Sequence, residues 1–172
     1  MTASFTAAEL RNAVTTLSSP PLIRLITEID DNGPIPLRGL ARTLADLSTH
    51  HLRQSTEAAR ALGLVLARPG VGLGLTAAGS ELADVYDESA RWARRHAYPT
   101  GVADFTRRVQ RTLSLLAEPL VPVTVDDPRC SAGDRPLGAQ AGTDLARPRD
   151  LLRQWLNAYP QTARLAEPEL AA

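Results

Sequence analysis

"RPGVGLGLTAAGSEL", residues 68–82, decides the fold. Within it Gly72-Leu73-Gly74-Leu75-Thr76-Ala77 matches the G-x-G-x-x-A form of a dinucleotide-binding turn. The same letters describe a glycine turn between two short strands that runs on into a helix. A dinucleotide turn needs a buried strand ahead of it, a βαβ unit around it and an acid at a strand end about 20 residues later. The acids that follow, Asp84 and Asp87, fall inside a helical pattern, and no strand pattern comes after them. The stretch is therefore read as a hairpin: Leu64 and Leu66 alternate with Val65 on one arm, Leu73 and Leu75 with Gly74 on the other.

Helical patterns surround this hairpin. Thr6-Ala7-Ala8-Glu9 is a capping box, and Leu10, Val14 and Leu17 then share one face of a helix over 7–17. Ser19-Pro20-Pro21 opens a second helix with Ser as N-cap, Leu22, Ile23, Ile26 and Ile29 form its stripe, and Asn32-Gly33-Pro34 ends it. "LRGLARTLAD", 37–46, predicts a helix with Leu37, Leu40, Ala41 and Leu44 inward and the small Ala41 at the closest approach to the next helix. Leu47-Ser48 makes a tight corner, and Ser48 caps a helix that runs from Thr49 to Gly63. Beyond the hairpin, Thr76 caps a helix over 77–96 with Leu82, Val85, Tyr86, Ser89, Trp92 and Ala93 on one side. A further helix over 101–117 sets Val102, Phe105, Val109, Leu113 and Leu116 on one side and Arg107, Arg108 and Arg111 on the other.

After residue 117 the character changes. Residues 119–148 hold five prolines and three glycines with no sustained period, so 118–148 is read as a linker or disordered segment. Residues 149–160 form a short amphipathic helix carrying Leu151, Leu152, Trp155, Leu156 and Tyr159, expected to dock on its own domain or on a partner, and 161–172 is a flexible tail. Residues 1–117 make up the one domain.

Composition narrows the function classes. The 172 residues are 44% hydrophobic, 22% charged and only 4% aromatic, so the core rests on aliphatic side chains and favours helix. All 19 basic residues are arginine and net charge is zero, so attraction to nucleic acid has to come from local asymmetry. The single cysteine, Cys130, leaves no internal disulfide and no multi-cysteine zinc site. Neither a signal peptide nor an apolar run of membrane-spanning length is evident, and a cytoplasmic protein is expected. There is no G-x-S-x-G, H-E-x-x-H or P-loop, His50 and His51 diverge by about 100° on a helix, and Asp126-Asp127 is a solvated pair. An enzyme, a cofactor and a metal site are not expected.

The asymmetry lies in one place. Residues 38–68 hold Arg38, Arg42, Arg53, Arg60 and Arg68 against Asp46 and Glu57, with His50 and His51 beside them. Acidic Glu81, Asp84, Asp87 and Glu88 follow on the next helix. The helix 49–62 turns Leu52, Ala59 and Leu62 inward, which leaves Thr49, His50, Arg53, Gln54, Glu57 and Arg60 outside. Arg presents a fork to guanine and Gln a donor–acceptor pair to adenine, so this face suits a major groove. Such a localised basic face is the footprint of a DNA reader.

The order of helix, short turn, helix and hairpin is that of a winged helix-turn-helix. Residues 33–65, "GPIPLRGLARTLADLSTHHLRQSTEAARALGLV", together with "LTAAGSELADVYDESARWARRH" (75–96), resemble the HxlR-type winged-helix regulators, relatives of the MarR type. Gly33-Pro34, Leu40, Ser48, Leu52, Gly63-Leu64-Val65 and Leu75-Thr76-x-x-Gly79 carry the resemblance, which covers residues 20–97. Thr56 and Ala59 stand where that family usually has Leu, Leu37 replaces its aromatic residue, and the wing is short. The resemblance implies a mainly α fold with a small β-hairpin, a bacterial transcriptional regulator binding double-stranded DNA, and a homodimer built on the helices at 7–17, 77–96 and 101–117. The DNA-contacting set is then Arg38, Ser48, Thr49, His50, Arg53, Gln54, Glu57 and Arg68, with Arg68 at the wing base meeting phosphate. Residues 118–172 are expected to be dispensable for that binding. A small-molecule effector, if there is one, is not legible. The alternative is a winged-helix module for protein–protein contact without DNA affinity.

Overall fold

The computed structural model describes residues 5–117 and 138–161. These are mainly helical with one two-stranded antiparallel hairpin. In chain order the elements are α1 (Ala7–Leu17), α2 (Pro20–Asn32), a 3-10 turn (Leu37–Gly39), α3 (Leu40–Thr43), α4 (Thr49–Ala61), β1 (Val65–Arg68), β2 (Gly72–Leu75), α5 (Ala77–Arg95), α6 (Phe105–Ala117), α7 (Ala139–Asp144) and α8 (Ala146–Ala158). Cys130 and Asp126-Asp127 lie outside the described residues.

Local chemistry starts the helices where the residue pattern indicates. Thr6 and Glu9 form the capping box, with Thr6 N donating to the Glu9 carboxylate at 2.7 Å and Glu9 N to the Thr6 hydroxyl at 3.2 Å. Ser48 accepts from His51 N at 3.2 Å and Thr76 from Gly79 N at 3.2 Å. Ser19 occupies the N-cap position of α2 but makes no side-chain cap bond.

The opening stretch is a hairpin: Val65 pairs with Leu75 and Arg68 with Gly72. Ile35 adds a bridge on its outer edge, exchanging backbone bonds with Leu73 at 3.0 and 2.8 Å. Gly72 makes that bridge possible, since its φ is +114° and a Cβ there would strike the Ile35 carbonyl. Gly79 serves α5 in the same way: a Cβ would collide with the carbonyl of Leu64, just past the end of α4. The glycines and Thr76 are thus spent on close backbone approach.

Several expectations are corrected. The helix over 37–46 is instead a 3-10 turn and the single turn α3, with Leu37 half exposed and Ala41 turned to solvent; only Leu40 and Leu44 of the four are buried. The physical reason is the short span between the Ile35 bridge and the Ser48 cap, into which Pro36 and Gly39 introduce a tighter turn. On β1 Leu66 faces solvent while Val65 and Leu64 are buried, because the strand meets the core only at its first residue. α6 begins at Phe105, where Asp104 accepts from Arg107 N at 2.7 Å, and Val102 is fully exposed ahead of it.

The largest correction is at the C-terminus. Of the stretch read as linker, residues 138–148 are α7 and the first turn of α8; Pro148 sits inside that turn, where a missing N–H costs nothing. α8 packs along α5 and belongs to the single core, with Leu152, Trp155 and Leu156 each at 2% exposure or less. The Trp155 indole donates to the Ala78 carbonyl at 2.9 Å and the Trp92 indole to that of Ala141 at 3.1 Å. Buried Glu88 accepts from Arg91 of its own helix at 2.6 Å and faces Arg147 of α8 at 3.2 Å. The apolar sides of α5 and α6 offered to a second subunit are covered within the chain, by α1, α2, α8 and each other.

Trp155→Ala removes a buried ring and its hydrogen bond, and is expected to destabilise the fold by about 3–5 kcal/mol. Urea denaturation followed by the remaining fluorescence of Trp92 measures it. A loss below about 1 kcal/mol would show that α8 is not part of the core.

Candidate nucleic-acid interface

α4 is held by a narrow inner face. Leu52 and Ala59 are buried, and so are Ser55 and Thr56, whose hydroxyls donate back to the Leu52 carbonyl at 3.1 and 2.7 Å. Returning those hydroxyls to the helix's own backbone lets polar residues fill positions where larger aliphatic side chains would otherwise pack. Its C-terminal end is fixed from outside the helix. The Thr76 hydroxyl donates to the Gly63 carbonyl at 2.6 Å, and Thr76 N donates to the Leu64 carbonyl at 2.9 Å.

The outer face is open. Thr49, His50, His51, Arg53, Gln54, Glu57 and Arg60 are all exposed. Arg53 Nε lies 3.3 Å from Glu57 with both side chains more than two-thirds exposed (82% and 67%), so the pair is weakly held and either partner can be drawn away. Ser48 is committed to capping α4, which assigns its hydroxyl to the helix and leaves the first amides of α4 directed outward. Arg38 lies in the 3-10 turn and Arg68 at the end of β1, both exposed. The elements carrying them flank α4 on either side in sequence.

Arg42 was not among the residues singled out as contacts. It is exposed on α3, four residues after Arg38, a spacing that could have suggested it. Arg38, Arg42, Arg60 and Arg68 make no ion pair with the described residues. Asp46, one of the two acids in this stretch, is engaged by Arg24 of α2 at 3.1 Å.

The acids gather elsewhere. Asp30 at the end of α2 has its carboxyl pushed above the ordinary range by partial burial and by the charges of Asp87, Asp31 and Asp84. Asp87 is raised by burial and by Asp31 and Asp84, against the opposing pull of Arg91 and Arg94. The aspartates of α2 and α5 therefore gather near one another. Among the described residues no group of three or more His, Cys, Asp or Glu side chains could hold a metal ion, and no helix is long and apolar enough to cross a membrane.

No protein-family model, no curated protein and no solved structure matches this chain.

The acidic patch makes a signed prediction. A carboxyl raised in the folded state is penalised while ionised, and the penalty fades as pH falls through the raised value towards the ordinary 3.8. Asp30→Asn is expected to raise the melting temperature near neutral pH and to give a smaller gain at about pH 4. An equal or larger gain at the acidic pH would contradict the assignment.

Proposed function

We propose that this protein is a sequence-specific DNA-binding regulator of winged helix-turn-helix type, with α4 in a major groove and the β1–β2 hairpin as the wing. The observation that carries the reading is the open outer face of α4, flanked by arginines that have no partner in the described chain while the acids cluster apart. Unpartnered, exposed guanidiniums on and beside α4 in sequence are suited to phosphate, and Arg53, Gln54 and His50 to base edges. Glu57 can release Arg53 and accept from a cytosine amine. The bridge from Ile35 to the hairpin supports the winged arrangement, since it ties the segment before α3 to the wing.

A homodimer belongs to the proposal on the strength of the family resemblance. Two readers would span half-sites about 34–36 Å apart or a multiple of that. Its contact would use surface other than the covered sides of α5 and α6. A protein-binding module is the second reading, and one observation favours it: Leu37, Leu66 and Val71, each at least 50% exposed, lie on the turn and hairpin around α4.

Genomic footprinting with the full chain supplies the site. On that site Arg53→Ala is expected to cost about 1–3 kcal/mol and to relax preference at one base pair, with a smaller loss on scrambled duplex. Arg68→Ala should weaken both duplexes alike and make the salt slope shallower by about one. Wild-type affinity in a folded Arg53, Gln54 and His50 triple-alanine variant would remove α4 as the reader and put the protein-binding module first.

A further inference from the structure

The arginines of α6 take no part in that reading. α6 carries Arg107, Arg108 and Arg111 and no acid anywhere along its length. Arg107 and Arg111 are exposed and four residues apart, so two like charges stand as neighbours on one helix face, an arrangement that is unfavourable unless an anion lies between them. Neither makes an ion pair with the described residues. Both line a cavity of about 620 Å³ between α6 and the corner where α1 meets α2.

The remaining lining defines what the cavity can hold. Thr106 and Gln110 contribute side-chain donors that make no hydrogen bond within the described chain. Ser18 and Ser114 donate to backbone carbonyls at 3.3 and 3.0 Å, so they offer only lone pairs. Asp104 is the one carboxylate in the lining, and it accepts from Arg107 N at 2.7 Å as the cap of α6. Pro20 adds an apolar ring from the start of α2, whose first two residues are both proline and offer no N–H. Two guanidinium forks, a hydroxyl and an amide form a donor set for a dianionic oxyanion, and the volume admits a molecule of metabolite size.

We propose that this cavity binds a phosphorylated small molecule, with Arg107 and Arg111 holding the phosphate. The site does not rest on the DNA-reading proposal, since it lies on α6 and shares no residue with α4. A simple carboxylate brings one negative charge against two guanidinium charges, whereas a phosphate dianion balances both, which is why phosphate is the better match. Through α2, which packs on both α6 and α4, the ligand would sit one helix away from the proposed reading face.

Isothermal titration calorimetry of the full chain with inorganic pyrophosphate, at constant ionic strength, tests the proposal. Saturable binding is expected, weakened at least tenfold, about 1.4 kcal/mol, in the Arg107→Gln, Arg111→Gln double variant and unchanged in Arg95→Gln, which lies in a separate groove beside α8. Both replaced side chains are exposed, and circular dichroism checks that the fold is intact. Heat no greater than that of matched sodium sulfate, or equal binding by the double variant, overturns the proposal. A random-sequence duplex supplies the second arm. Should it displace pyrophosphate, and the double variant lose both ligands, the arginines hold DNA backbone and the small-molecule site is refuted. Retained duplex binding with lost pyrophosphate binding supports it. A chain that binds pyrophosphate through these arginines but no DNA would refute the regulator and keep the site.

Discussion

The fold turns on one contact, between the first turn of α5 and the end of α4. Thr76 caps α5, gives its hydroxyl proton to the Gly63 carbonyl at 2.6 Å and its amide proton to the Leu64 carbonyl at 2.9 Å. Gly79, one turn on, is the residue whose missing Cβ lets the Leu64 carbonyl come close. The hairpin leaves α4 and returns to α5 within this contact, so a single Thr and Gly set the angle between the exposed helix, the hairpin and the long central helix. Any side chain at Gly79 would have to push those elements apart.

The same turn of α5 also anchors the C-terminus. Ala78, between Thr76 and the close approach at Gly79, accepts from the buried Trp155 indole. Two tryptophans therefore clasp α5 near its two ends, Trp155 reaching in from α8 and Trp92 reaching out to α7. A buried indole N–H without a partner is costly, so each bond selects the docked arrangement over looser ones. Tyr86 does the same for α1, donating to the Leu17 carbonyl at 2.7 Å from a fully buried position, and burial raises its phenol above the ordinary range. In a chain with few aromatics, Trp92, Trp155 and Tyr86 are placed as polar pins between helices.

A neutral net charge conceals an uneven surface. Arg38, Arg42, Arg60 and Arg68 make no ion pair with the described residues, partial burial and neighbouring aspartates raise the carboxyls of Asp30 and Asp87, and Glu88 is withdrawn inward between Arg91 and Arg147. Such a distribution concentrates positive potential locally while keeping long-range fields small. In the DNA-reading proposal this favours recognition governed by short-range contacts, with non-specific attraction strongly screened by salt.

Helix positions and caps were legible in the sequence, because they depend on neighbours within four residues: the Thr6–Glu9 box, the Ser48 and Thr76 caps and the stripes of α2 and α5 all appear where the letters place them. The hairpin was legible too, since its glycine turn is local. The outward residues of α4 followed from helical period alone. What the letters could not decide was which apolar faces meet. The stripe of α8 fits its own domain or a partner equally well as a pattern, and only the three-dimensional match of Trp155 to the backbone carbonyl of Ala78 resolves it. The segment 37–46 misled for the same reason: its spacing is helical, but the bridge from Ile35 to Leu73, a contact across 38 positions, holds its start and tightens it into a 3-10 turn. Period and capping are properties of the chain near itself; docking and the reach between bridge and cap depend on distances that only the folded molecule has.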